Sequence, residues 1–477
     1  VTDPTRPTAI TVTPTRLNSR VFREYDIRGV AEADFPDSVV VDLGRAIGTY
    51  LIEGGARTIT LGRDCRISSP RIHGALRGAI LSTGLDIIDV GVVHSPGLYF
   101  SVIHLGVEGG VMITASHNPG PDNGFKIVLG KSTIHGAAIQ RLRQIIEAGS
   151  FRRAERPGSL RAHDILADYV SYVAANIQLG PRRFKVAVDG GNGTGGLSIL
   201  PILQRLGVET ESLYCDPDGS FPNHHPDPTV AENLADLAAL VRASGAEVGL
   251  ALDGDADRIG AVDGRGRIIW GDQLMMLFAR EILQRRPGST FVSEVKCSQA
   301  LFDEIARLGG QAIMWKVGHS LIKVKMREEN AVLAGEMSGH MFFADRWFGF
   351  DDAVYAALRL VELLTHSARS LEELYDTLPV LHNTPEIRMD CPDDIKFEVV
   401  RRTIAHFRVE HSVIDIDGAR VSFDGGWGLV RASNTGPVLV LRFEADTPGR
   451  LAEIRQLVET RLATIIDEVR LHPQQGT

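Results

Sequence analysis

Cysteine is scarce and scattered in this chain. There are four among 477 residues, Cys65, Cys215, Cys297 and Cys391, and none stands at the short paired spacing that zinc sites and redox dithiols use. A disulfide framework is therefore excluded, and reduced thiols in a cytoplasmic protein are expected. An excess of positive charge is also missing. The net charge of -9 argues against nonspecific binding to nucleic acid or to an anionic membrane, although a few focused cations can still hold a small anionic substrate in a cleft. No apolar run reaches bilayer length, and residues 1–20, rich in Thr and Pro, lack the apolar centre of a signal peptide. The expectation is a soluble cytoplasmic monomer with a flexible tail over residues 1–20 and no membrane or nucleic-acid partner.

Apolar residues make up 44% and charged residues 23%, so ordinary cores can form, and the length calls for three or four of them. Strand-like runs alternate with helix-like runs, which favours parallel strands covered by helices. The alternation also repeats. TITLGRD, KVAVDGG and TFVSEVK are each followed by a helical pattern and another strand, and each unit later returns to a strand ending in a distinctive loop. Those three ends are GVMITASHNP, EVGLALDGDADR and NAVLAGEMSGH. After about Leu378 the pattern changes: residues 421–443 read as strand, loop, strand, followed by a long helix from Arg450. The predicted fold is α/β: three similar α/β domains with mixed sheets (21–162, 163–267, 268–378) and a smaller α+β C-terminal domain (379–477) around a central cleft.

The loops carry the chemistry. TASHNP displays Ser116, His117 and Asn118 at a strand end, with Lys126 shortly after; a ligand site and a plain surface turn both fit. DGDADR sets Asp253, Asp255 and Asp257 at alternate positions, so the three carboxylates share one side and can converge on a hard cation. A calcium hand would want Gly at Arg258 and Glu at Gly264. A phosphatase of haloacid-dehalogenase type would use Asp253 as nucleophile and Asp255 as acid, but Asp257 stands where that family has Thr or Val. GGNGTGG spaces Gly191, Gly193 and Gly196 like a dinucleotide fingerprint, and tight strand-to-helix packing explains the same glycines. GEMSGH offers Glu336, Ser338 and His340, a carboxylate and hydroxyl suited to neighbouring sugar hydroxyls, or an ordinary polar turn. RASNTGP supplies Arg431, Ser433, Asn434 and Thr435, donors fitted to phosphate oxygens or a solvated hairpin tip. Together the loops point to phosphoryl transfer on a phosphosugar.

With YDIRG, TASHNP with NGFK, DGDADR, GEMSGH and RASNTGP in order from about Val21 to the C-terminus, the chain resembles the α-D-phosphohexomutases, most closely the bacterial phosphomannomutase/phosphoglucomutase group. GEMSGH and RASNT agree with the mannose/glucose members; Gly436 departs from what relatives often carry. The resemblance implies that Ser116 is the phosphorylated serine and that Asp253, Asp255 and Asp257 hold Mg²⁺ together with an oxygen on Ser116. It implies that Arg258 and Lys126 stabilise the transferring group, with Arg28 and Tyr25 nearby. Lys126, His319 and His340 are three candidates for proton transfer with the sugar hydroxyl. Substrate contacts are expected from Tyr25, His117, Asn118, Lys296, Glu336, Ser338, Arg431, Ser433, Asn434 and Thr435. The implied reaction interconverts hexose 1- and 6-phosphates of mannose and glucose through a 1,6-bisphosphate, with glucose 1,6-bisphosphate as activator. The alternatives are the Mg²⁺-dependent aspartyl phosphatase and a non-catalytic sugar-phosphate sensor.

Overall fold

The computed structural model describes residues 17–434 and 436–471. Residues 1–16 of the expected tail, and Thr435, lie outside the described residues.

The first three sheets share one plan. In the first, the strand Thr58–Arg63 runs parallel to Asp86–Val92 on one side and Gly109–Ile113 on the other, and Asp122–Leu129 then returns antiparallel to Gly109–Ile113. In the second, Val186–Asp189 is flanked in parallel by Thr210–Leu213 and Val248–Leu252, and Ile259–Asp263 returns antiparallel. In the third, Thr290–Glu294 is flanked by Gln311–Trp315 and Leu333–Gly335, with Met341–Phe343 returning. TASHNP, DGDADR and GEMSGH therefore occupy equivalent places, each joining the last parallel strand to its antiparallel neighbour. The repeat puts three chemically different loops at corresponding sheet ends, where a rigid strand pair fixes each one.

The fourth sheet is antiparallel: Ala419–Phe423, Gly426–Ala432 and Val438–Ala445 are neighbours, and the helices Lys396–Phe407 and Pro448–Leu471 pack with this sheet around one core. Here the expectation of strand, loop, strand over 421–443 is corrected. Residues 421–443 run through three strands, because the two residues after Phe423 form a tight turn in which Gly425 takes φ 72°. RASNTGP is the tip of the second hairpin.

The cores explain how the loops are brought together. One apolar cluster runs from Val90 and Phe100 of the first domain through Val186 and Leu250 of the second to Phe343 and Tyr355 of the third. At its centre the largely apolar helix Ala353–His366 is buried almost all round, and its two buried charges, Arg359 and Glu362, are paired with Asp345 and Arg346. The fourth domain keeps a separate core. It meets the third through a small apolar contact of Val295 with Trp427 and Leu429 and through two buried arginines, Arg420 and Arg442, which donate to main-chain oxygens of Val295, Cys297 and Lys296.

Candidate active site

Ser116 follows the fully buried strand Gly109–Ile113. Its backbone is left-handed, φ 50°, a conformation that costs a non-glycine residue about 1–2 kcal/mol. Neighbouring groups hold it: the Ser116 N–H donates to Thr114 Oγ1 at 2.9 Å, and its hydroxyl donates to Asp253 Oδ2 at 2.7 Å, with His117 Nδ1 at 3.2 Å. The serine thus meets the acidic loop of the next domain.

Asp253, Asp255 and Asp257 are buried, and one oxygen from each lies within 4.8 Å of the others. Burial, reinforced by Asp257 and Asp255, holds the Asp253 carboxyl well above the usual range. Burial acts on Asp255 as well, but the Lys126 ammonium at 2.6 Å outweighs it and keeps that carboxyl low. Lys126 also reaches Asp257 at 2.5 Å; burial opposes its charge, and the two carboxylates overcome that and hold it as a firm cation. Asp255 Oδ1 and Asp257 Oδ1 are buried without a hydrogen-bond partner. Two orphaned carboxylate oxygens beside a third carboxylate, Asp253, are the donor set a small divalent cation requires, so a metal fits here.

The third loop joins the second directly. Arg258 and His340 form an antiparallel bridge, and Arg258 Nε donates to His340 Nε2 at 3.0 Å. Gly339 takes φ 89°, and a Cβ there would lie 2.3 Å from the Ile259 oxygen, so the two loops can touch only with glycine at this point. Glu336 Oε1 accepts the Gly318 N–H at 2.8 Å, and Ser338 donates to Oε2 at 3.1 Å. Burial would raise Glu336, but His340 and Lys296 hold it ionised, below its usual value. The His319 and His340 rings stack at 5.7 Å, and both turn Nδ1 toward Asp351 Oδ2 at 3.4 Å. Asp351 also holds the buried Lys323 at 2.9 Å.

Tyr25 ties the fourth domain to the first and third: its hydroxyl donates to the Val317 oxygen at 2.8 Å and accepts from Asn434 Nδ2 at 2.6 Å. Arg431 pairs with Asp417 at 3.2 Å, and Lys296 with Glu386 at 3.1 Å. Lys296 lies within electrostatic reach of Arg431 and Glu336. Arg28 pairs with Asp26 at 2.6 Å and donates to Asn118 at 2.7 Å. His117 is half-buried beside Arg258 and Arg28, and desolvation, then those cations, push its imidazole toward the neutral form. Ser433 is buried, and its carbonyl accepts from Lys396. These contacts join Ser116, His117, Lys126, the acidic loop, Arg258, His340 and His319, and set Arg28 with Asn118 and Tyr25 with Asn434; Thr435 lies outside the described residues.

Several participants escaped sequence reading. Ser95, at the start of a helix, donates to Asp255 at 2.5 Å. Arg66, Lys323, Asp351 and Lys396 are buried ions serving the loops. The available signal was position: CRISSP follows the first strand where GGNGTGG follows its counterpart. The glycines of GGNGTGG prove to be packing positions. A Cβ on Gly193 would lie 2.6 Å from the Gly254 oxygen, and one on Gly196 would lie 2.1 Å from that of Cys215.

Comparison with known proteins agrees with this geometry. Residues 19–153, 167–266 and 270–381 match the three alpha/beta/alpha domains I, II and III of phosphoglucomutase/phosphomannomutase, and residues 386–460 match its C-terminal domain. A Pseudomonas aeruginosa phosphomannomutase/phosphoglucomutase is 44% identical over 450 residues, 94% of this chain and 96% of its own. A Neisseria gonorrhoeae phosphoglucomutase is 44% identical, covering 91% and 95%. The structure of a Burkholderia thailandensis phosphoglucomutase/phosphomannomutase family protein superposes with a TM-score of 0.88 at 40% identity, covering 94% and 98%. The chain belongs to the phosphoglucomutase/phosphomannomutase family. It is a phosphohexomutase, an isomerase by reaction, and the aspartyl phosphatase reading is not favoured. Among the described residues no helix is long and apolar enough to cross a membrane.

Proposed function

We propose that this enzyme interconverts the 1- and 6-phosphates of mannose and glucose, with Ser116 as the covalent phosphoryl carrier. The observation that carries the reading is the Ser116 hydroxyl, 2.7 Å from Asp253 at the edge of the three-carboxylate site. The unit 21–162 supplies the serine, 163–267 the acidic loop, 268–378 the sugar loop and 379–477 the phosphate loop. Asp253, Asp255, Asp257 and an oxygen on Ser116 would hold Mg²⁺, which would supply charge neutralisation at the transferring phosphoryl group.

In the first half-reaction the bond from phosphorus to Ser116 Oγ breaks and a bond to the free sugar hydroxyl forms, giving the 1,6-bisphosphate. Arg258 and Lys126 face the charge spread over the phosphoryl oxygens, with Arg28 behind them. The hydroxyl proton passes to His340. Lys126 faces the acidic loop through Asp255 and Asp257, and His319 serves to pack against His340. His340 turns Nδ1 to Asp351 and its Nε2 lone pair accepts from Arg258 Nε, so Nε2 is free to take the proton only once Arg258 turns to the phosphoryl oxygens. After the bisphosphate turns around, the second half-reaction returns the other phosphate to Ser116. Tyr25, Lys296, Arg431, Ser433, Asn434 and Thr435 grip the phosphate that is not transferring, and His117 and Asn118 frame the serine. Glucose 1,6-bisphosphate recharges an enzyme that has lost its phosphate.

Glu336 and Ser338 take O3 and O4, which point the same way in glucose and mannose, so O2 is not sensed. Comparable kcat/KM for glucose 1-phosphate and mannose 1-phosphate is expected, with glucosamine 1-phosphate poorer, and both good activities lost in Glu336→Ala. A variant losing only one of them, or a preference for glucosamine 1-phosphate, would overturn the sugar assignment.

A further inference from the structure

The turn that carries Ser116 has an unusual support. Between the strands Gly109–Ile113 and Asp122–Leu129 the chain leaves the sheet, so carbonyls from Ser116 to the first residue of the second strand need partners beyond the strand ladder, and a buried carbonyl left unpaired costs about 1–3 kcal/mol. One side chain serves four of them. Arg66, fully buried, donates through Nη2 to the oxygens of Ser116 and Asn118, each at 2.7 Å, and through Nη1 to those of Pro119 at 2.7 Å and Asp122 at 3.0 Å. Its Nε lies 3.1 Å from Asp64 Oδ2, and the other Asp64 oxygen is fixed by Ser69 and by the Arg66 N–H. The guanidinium is therefore oriented from behind before it meets the turn.

The seat is completed by the neighbouring domain. Residues 214–229 cross from the second domain onto the first, where Gly219 bridges to Arg66. The approach is so close that a Cβ on Gly219 would lie 2.4 Å from the Cys65 oxygen. Two residues on, Phe221 takes φ 50° and lays its ring 5.2 Å from the Arg66 guanidinium carbon. The Ser116 carbonyl is approached from the same domain by Gly254, where a Cβ would lie 2.5 Å away.

We propose that Arg66, clamped by the 214–229 strap, is the positioning residue that sets the phosphoryl-carrying turn. The inference rests on the reading of Ser116 as the carrier. A planar fork with four terminal N–H groups spans four carbonyls; a lysine, with three donors on one atom, does not. Arg66 touches no reacting atom and acts through the turn. Because the strap belongs to the second domain, the serine is aligned only while the first two domains are pressed together, which links the site of covalent chemistry to the contact that also brings the acidic loop to it.

The test uses the full chain charged with glucose 1,6-bisphosphate. Arg66→Lys is expected to lower kcat for glucose 1-phosphate about 100-fold, the scale of a misplacement near 1 Å, with KM within about threefold. Amide hydrogen exchange over residues 116–122 is expected to quicken. A merely structural role predicts a lower melting temperature with normal kcat per folded molecule, and that result overturns the proposal. Should Arg66→Lys not fold, Phe221→Ala keeps every Arg66 hydrogen bond and removes only the ring; a fall in kcat of about three- to tenfold supports the clamp, and parental kcat overturns it. Peptide mapping of the charged parent separates the two readings. Phosphate found elsewhere than Ser116 sinks the carrier assignment, whereas phospho-Ser116 with an unimpaired Arg66→Lys sinks the positioning role alone.

Discussion

Replacing Asp351 by Asn tests the electrostatic foundation of the sugar loop. Asp351 is fully buried and holds Lys323 at 2.9 Å and the His319 and His340 rings at 3.4 Å. Lys323 is itself buried, over the Tyr99 ring, and burial already pulls its pKa down against the pull of Asp351. Without the carboxylate, Lys323 has two courses. Remaining charged and unpaired in the interior costs about 3–5 kcal/mol. Releasing its proton at pH 7, about 3.4 units below the free value, costs at most about 4.6 kcal/mol at 1.36 kcal/mol per unit. Either way a loss of about 3–4 kcal/mol is expected, on a scale where whole domains have about 5–15. Urea unfolding followed by tryptophan fluorescence reads it well, because Trp315 lies in the third sheet and Trp347 follows its strand Met341–Phe343. The decisive comparison is the double variant Asp351→Asn, Lys323→Met, which removes the stranded cation and should regain at least half of the loss. An Asp351→Asn protein within about 1 kcal/mol of the parent, or a double variant less stable than the single, would refute the reasoning.

Other expectations follow from the same geometry. Ser116→Ala should remove mutase turnover and the single phosphate seen by intact mass, while its urea midpoint stays near the parent's, since a loop hydroxyl contributes chemistry rather than packing; near-normal steady-state rates would sink the mechanism. Asp255→Asn should raise the Mg²⁺ concentration needed for half-maximal rate and lower the maximum, and activity indifferent to chelation would remove the metal from the account. Glu386, paired with Lys296, is held down to about 2; a depressed carboxyl contributes stability that is full above its unfolded pKa near 4.3 and fades as pH falls toward 2. Glu386→Gln should therefore flatten that acid limb of the stability curve, and an unchanged limb counts against the pair.

How far the fold could be read from the sequence depended on whether a feature is local. TASHNP, DGDADR and GEMSGH each gather their polar residues within a few positions after a buried strand, so both the strand end and its chemistry were visible together. The repeat of strand, helix and strand showed three related units. The hairpin missed at Asp424 and Gly425 has a local cause as well: the glycine pair Gly425 and Gly426 reads as a loop, yet only Gly425 is left-handed and Gly426 already pairs in the next strand. Arg66, Lys323, Asp351 and Lys396 were hidden for another reason. Each is one ion in an ordinary segment, and its partners are carbonyls or side chains that only folding brings near, such as Ser433 and Gly436 for Lys396. Lys126, His319 and His340 differ in the neighbours that surround them, and those distances are not written in spacing along the chain.

The apolar cluster that runs unbroken through the first three domains has a thermodynamic consequence. The first domain also keeps a core of its own on the other face of its sheet, from Ile27 and Leu43 to Phe125 and Leu142, but the cluster it shares with the next two couples their unfolding, so the boundaries between them are not planes along which heat can part the chain. The C-terminal domain, with its own core and a contact made largely of arginine to backbone oxygen, is the piece that can let go first. Four domains should thus appear in a calorimeter as two melting units: a smaller one from about residue 382 onward, and a larger one holding the serine, acidic and sugar loops in a single cooperative block.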